Sequence, residues 1–213
     1  MRRRELLAAG STLLAATSGC IGVLTGSEPL EREATSARVG KATLEETGYE
    51  LADSYSDTIE QEVTVGGQTR EVHAVNQFTE YHRAVELATL GSGEYAVFAL
   101  VATPAFEIAG QVMSPVERWS NRRVAAELQQ QYEDLEVGEE VDSTTVPTLS
   151  SEMSVSTFEG TATVLGNEGV DVYLDVGTVR HGEDFVFAVG IYPQSLSGEG
   201  ETVLELVRNL EHG

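Results

Sequence analysis

Cys20 is the only cysteine in 213 residues, and its position says most about its chemistry. Alone it can form no internal disulfide, so its thiol is left for modification and the fold must hold by core and solvent. Four histidines, His73, His82, His181 and His212, are the other candidate bases or ligands. His73 and His82 lie nine apart in a strand-rich stretch, and an unbroken strand would place them about 30 Å apart on opposite faces. His181-Gly182-Glu183-Asp184 gathers nitrogen and oxygen donors in one turn, without the alternating acids of a calcium loop. There is no Gly-x-Ser-x-Gly elbow and no zinc-protease histidine pair, and Gly91-Ser92-Gly93 lacks the helix and lysine that a phosphate loop needs after it. Arg118 and Arg122, with Arg123 beside them, form the densest basic cluster; four apart on one helix, the first two would face together. They are candidate contacts for an anion or a partner, with pairing to the protein's own carboxylates as the simpler expectation. Asp171, Tyr173 and Asp175 alternate along one strand and read as its wet face. The sequence therefore predicts no catalytic residue, no cofactor and no metal site.

What precedes Cys20 supplies a role for its sulfur. Met1-Arg2-Arg3-Arg4 is basic, Leu6 to Thr17 is apolar or small, and Ser18-Gly19 leads into the cysteine. Positive charge, apolar run and small residues before a cut make a secretory signal. The run is about a dozen residues, whereas a bilayer core of roughly 30 Å takes about twenty in a helix. Arg3-Arg4 followed by Leu6-Leu7 resembles the twin-arginine export signal, with Arg2 where Ser or Thr usually stands, so general secretion stays open beside it. Ser18-Gly19-Cys20 resembles the lipobox of lipoproteins, with Thr17 in the place usual for Leu, and implies a lipid on the sulfur and cleavage just before it. Each buried methylene adds about 0.8 kcal/mol, so a two-chain lipid anchors where one short chain does not. The expected location is the extracellular face of a membrane.

The chain carries 13 Lys plus Arg against 35 Asp plus Glu, a formal charge of −22. Loss of residues 1–19 removes three arginines and one glutamate, leaving 10 basic and 34 acidic residues, or −24. Such self-repulsion strains a compact state in dilute buffer. The acids are dispersed among periodic apolar blocks that make the chain 41% hydrophobic, which argues against disorder. Concentrated salt, with a Debye length of about 3 Å at 1 M, resolves the conflict. Lys41 is the only lysine, which fits the same halophilic reading. No basic stripe is present, so nucleic acid is not an expected partner.

These residues must be positioned by a body beginning near Thr43, with Ile21 to Ala42 expected as a tether of roughly 25 Å root-mean-square span. Ile59 to Val65 and Thr69 to Val85 flank Gly66-Gly67 as a hairpin. Tyr95 to Thr103 is apolar on both parities and reads as a central strand covered on both sides. Ser114-Pro115-Val116-Glu117 has the form of a capping box opening a helix over about 115–135. Met153 to Leu165, Val170 to Val179 and Phe185 to Tyr192 form a meander, and Val203, Leu206, Val207 and Leu210 stripe a closing helix. The predicted class is α+β: an antiparallel sheet of about six to seven strands, hairpins and a C-terminal meander, packed with a central and a C-terminal helix.

Leu44-Glu45-Glu46-Thr47-Gly48-Tyr49-Glu50, Met113-Ser114-Pro115-Val116 and the ending from Tyr192-Pro193 to Glu211-His212 resemble a family of haloarchaeal lipoproteins known as domain of unknown function 6517. That family implies no chemistry and transfers no functional residue. The final meander, proline and helix are also similar to the sandwich domains of PsbP-type proteins, a likeness of fold alone. The expected function is a non-enzymatic, lipid-anchored binding or accessory module contacting an envelope protein or a small ligand. The alternative is a surface hydrolase or metal-dependent enzyme whose site is assembled from distant carboxylates and His73 or His82.

Overall fold

The structure, a computed structural model, describes residues 29–65, 68–88, 91–108, 111–112, 114–132 and 134–213. Arg3, Arg4, Cys20, the Gly66-Gly67 turn and Met113 lie outside them. One mixed sheet organises the chain. Its strands are β1 (Leu30–Glu33), β3 (Glu50–Val65), β4 (Gln68–Leu87), β5 (Gly91–Pro104), β8 (Leu135–Thr148), β9 (Ser151–Val164), β10 (Asn167–His181) and β11 (Asp184–Pro193). The order is β1-β4-β5-β11-β10-β9-β8, with β3 on the far side of β4, while β6 (Glu107–Ile108) and β7 (Gln111–Val112) form a small ribbon apart from it. All pairs are antiparallel except β1 with β4, which runs from Leu30 opposite Val72 to Glu33 opposite Val75. β1 therefore continues the row that β5 leaves beyond Gln77.

Alternation in the two middle strands creates two cores. From β5, Ala96, Phe98, Leu100 and Ala102 enter one face together with Val186 and Ala188 of β11. That face is covered by α1 (Lys41–Thr47), α3 (Glu199–Arg208) and a two-stranded ribbon of β2 (Ala37–Val39) and β12 (Leu210–His212). Phe185, Phe187 and Val189 enter the other face, joined by Leu174 and Val176 of β10 and covered by α2 (Asn121–Gln131) through Val124 and Ala125. Gly190 makes the approach of α3 possible, since a Cβ there would meet Val203 at 2.8 Å. Among the described residues no helix is long and apolar enough to cross a membrane.

The α+β class, the hairpin pairing of β3 with β4, the central position of β5, the meander and the closing helix match the sequence reading, although Leu210 falls beyond that helix and opens β12. Other details differ. The stretch expected as tether already carries β1, β2 and the start of α1. The helix expected over 115–135 is instead a 3-10 turn (Pro115–Arg118), a break, and then α2. Ser114 makes no cap; its Oγ accepts from Phe106 N at 2.9 Å and donates to Pro104 O at 3.3 Å. Ser120 caps α2, its side chain accepting from Arg123 N at 3.2 Å. Leu135 opens β8 rather than closing a helix. Nor is the second face of β10 wet: Asp171 is exposed, but Asp175 is buried and held by Thr157 Oγ1 at 2.5 Å and Tyr192 Oη at 3.0 Å. Burial outweighs these two bonds and raises the Asp175 pKa.

Candidate functional site

A cleft of about 610 Å³ opens where the 3-10 turn breaks before α2. Its floor is the part of the sheet that α2 leaves uncovered, and there the buried apolar residues of β8, β9 and β10 give way to hydroxyls. Ser143 pairs with Ser156, and Ser154 pairs with Thr178, so alcohols from three strands share one face. Asn121 at the start of α2 donates to Ser154 O at 2.9 Å and to Ser156 Oγ at 3.1 Å, tying the helix end to the floor. Thr178 Oγ1 is buried with no hydrogen-bond partner. Trp119 forms a wall, braced against Phe187 with ring centroids 6.5 Å apart.

Two guanidiniums line the same cleft. Arg122 lies 4.7 Å over the Phe158 ring and donates to Gly138 O at 2.5 Å; Arg180 lies 5.8 Å from the Phe185 ring centre. Neither forms an ion pair among the described residues, and neither does Arg118. Local carboxylate pairing, the simpler expectation for Arg118 and Arg122, is thus not what the structure contains. Nor do they share a helix face: Arg118 ends the 3-10 turn, and Arg122 lies in the first turn of the separate α2. Glu117 and Glu140 stand at the cleft as hydrogen-bond acceptors. The arrangement suits a small polar molecule, for which pockets of roughly 300–1,000 Å³ are usual. The sequence signal was the Ser154-Val155-Ser156 alternation, which reads equally well as an ordinary wet strand face.

The family model named Domain of unknown function (DUF6517) matches residues 36–211. The chain belongs to this family. Curated proteins give no match. The DUF6517 match runs from β2 to β12 and so includes every wall of the cleft.

The histidines of this DUF6517 chain fall in three places. His73 meets Glu71 at 3.2 Å, and with Glu60 opposite it on β3 these side chains bring three ligand atoms within 4.8 Å of one another. They could approach one divalent ion, but both glutamates are exposed. His82 sits between Glu80 at 2.5 Å and Glu94 at 3.1 Å. Burial pulls its pKa down, but hydrogen bonds and charge from the two glutamates outweigh that and the net shift is upward. His181 and His212 come together, Nδ1 to Nδ1 at 2.9 Å, while His212 Nε2 lies 3.0 Å from Thr35 O and 3.2 Å from Asp184 Oδ2. Asp184 also accepts from Thr35 N at 2.9 Å. The turn that looked like a loose ligand set thus joins the β10–β11 corner to both ends of the domain.

A second polar group is sealed in the core beneath α3. Glu199, 1% exposed, accepts from Tyr49 Oη at 2.7 Å and pairs closely with Arg83. Burial and the Glu199 carboxylate push the Tyr49 phenol far above its usual range, so it stays a donor. With its oxygens engaged by Tyr49, just after α1, and by Arg83 of β4, this carboxylate of α3 is built to hold those segments together.

Proposed function

We propose that this DUF6517 chain is a lipid-anchored, non-enzymatic binding module on the extracellular face of a halophile's membrane. Export would follow the Arg3-Arg4 signal, the lipid would sit on Cys20, and the domain would hold a small polar ligand in the cleft before α2. The cleft carries the binding part of this reading. Its Ser143 and Ser154 side chains and the Arg122 and Arg180 guanidiniums are exposed at a helix break, whereas the fold's own polar groups, such as Glu199 and Asp175, are buried and satisfied. Cys20 and its preceding signal support the location.

Two measurements test the parts separately. The full chain should need detergent for release from membranes and show a lipid mass on Cys20, while Cys20→Ser should appear in the medium. An unmodified thiol with the original Met1 in the cytosol would sink the anchor. For binding, a thermal-shift panel of small polar solutes is run on the full chain. A ligand at a hundred times its Kd adds about 2.7 kcal/mol of stability. The binding reading predicts at least one such shift that is lost on Ser156→Ala; a panel with none, or with shifts indifferent to the cleft, removes it.

A further inference from the structure

We propose that the ligand of this cleft is a sugar acid, a polyhydroxylated molecule bearing one carboxylate; this rests on the binding reading above. The charge balance of the chain makes the argument. With 35 acidic residues against 13 basic ones, most guanidiniums are expected to sit in an ion pair. Arg32, Arg38, Arg83, Arg123 and Arg208 each have one. Arg118, Arg122 and Arg180 do not among the described residues, and of these three Arg122 and Arg180 line one cleft. Arg122 is moreover fixed by Gly138 O and by the Phe158 ring, so its remaining donors are held in place at little entropic cost. A planar fork of this kind recognises carboxylates, and its attraction grows when water is partly excluded.

The floor sets the rest of the molecule. The exposed Ser143 and Ser154 each offer a donor and an acceptor, and Ser156 beneath them is held by Asn121, which matches a ligand whose own groups are alcohols. Trp119 supplies an apolar wall against which the C–H face of a ring can pack. Glu117 and Glu140 can accept from ligand hydroxyls, and with only two guanidiniums to offset them they disfavour a second negative charge on the ligand, as on sulfate. A zwitterion without hydroxyls would leave the floor unused. One carboxylate with several alcohols satisfies all of these walls.

Trp119 is the only tryptophan in the chain, so intrinsic emission reports directly on this site. The purified full chain, in detergent and molar KCl, is titrated with D-glucuronate, D-glucose, glycine betaine and sulfate. Glucuronate should shift Trp119 emission saturably, with glucose at least tenfold weaker and the other two without effect. Arg122→Gln with Arg180→Gln should weaken glucuronate tenfold or more and leave the glucose response within about twofold. Should the double variant fail to fold, Arg180→Gln alone, on an exposed residue, should still weaken glucuronate severalfold. A tetramer of uronate distinguishes sources: tighter binding than glucuronate places the ligand on a polymer, equal binding on a free acid. Glucose equal to glucuronate, or a response to betaine or sulfate instead, overturns the sugar acid while the cleft stands as a binding site. Silence from every probe overturns it too, and an empty thermal-shift panel beside that silence removes the binding reading as well.

Discussion

At the residue scale, the groups that spacing made conspicuous are mostly parts of the frame, and those that face open space were inconspicuous. Buried Glu199 shows how such a group is held, since removing Arg83 leaves its carboxylate without a counter-charge. Arg83→Ala should therefore destabilise the chain by about 3–5 kcal/mol, as breaking a buried pair does. Arg208→Ala, which loses only the exposed Glu205 pair at 3.1 Å, should cost no more than about 1 kcal/mol. Urea unfolding of both variants in molar salt measures the difference, and equal losses would mean that Glu199 is not sealed from solvent. His82 gives a second test. Its folded pKa lies above the unfolded value of about 6.5, so its contribution is complete below that pH and is lost as pH rises through the folded value. The melting temperature of the parent should exceed that of His82→Gln most at pH 6, and the gap should narrow steadily towards pH 9. Neither role was legible beforehand, because the partners Glu94 and Arg83 reach their places only through the pairing of β3, β4 and β5 with α3.

At the scale of elements, periodicity was a good guide wherever one or both faces are buried, as in β5, β10, β11 and α3. It failed where another force sets the conformation. β8 reads as Leu-Glu-Val-Gly-Glu-Glu-Val-Asp because it is an edge strand with most side chains in water, so no alternation marks it. The helix boundary was misplaced because Ser114 is followed three residues later by Glu117, the pattern of a capping box, whereas Ser120 is followed by Arg123 and caps only through that residue's backbone N–H. Ser120→Ala should cost about 1 kcal/mol and reduce helicity, through the loss of the α2 cap. Ser114→Ala should cost a similar amount with helicity unchanged, since it orphans the buried Phe106 N–H. Far-UV circular dichroism alongside denaturation separates the two, and a helical loss from Ser114→Ala would restore the capping box. The seat of α3 is equally specific. Gly190→Ala should destabilise by about 1–3 kcal/mol through overpacking against Val203, and Val203→Ala in the same chain should recover part of that loss.

At the scale of the whole molecule, the acidic surface was legible from composition alone, but its distribution was not. Among the described residues β3 pairs only with β4, and it carries Glu50, Asp53, Asp57, Glu60 and Glu62 along an exposed strand. An open edge of this length is a template for another chain, and charge is the usual guard against such pairing. The same carboxylates repel one another, with a reach of about 10 Å at 0.1 M salt and about 3 Å at 1 M. Stability in urea should therefore climb as KCl rises from low to molar concentration. Replacing Asp53, Asp57, Glu60 and Glu62 by their amides removes four negative charges, taking the formal charge from −22 to −18. That variant should gain stability at low salt and gain little at molar salt, because screening has already removed the penalty. Light scattering should then show it associating where the parent stays monodisperse, since the edge has lost its guard. A parent whose stability ignores salt would mean that its acids are balanced within the fold, and the halophilic reading would lose its physical basis.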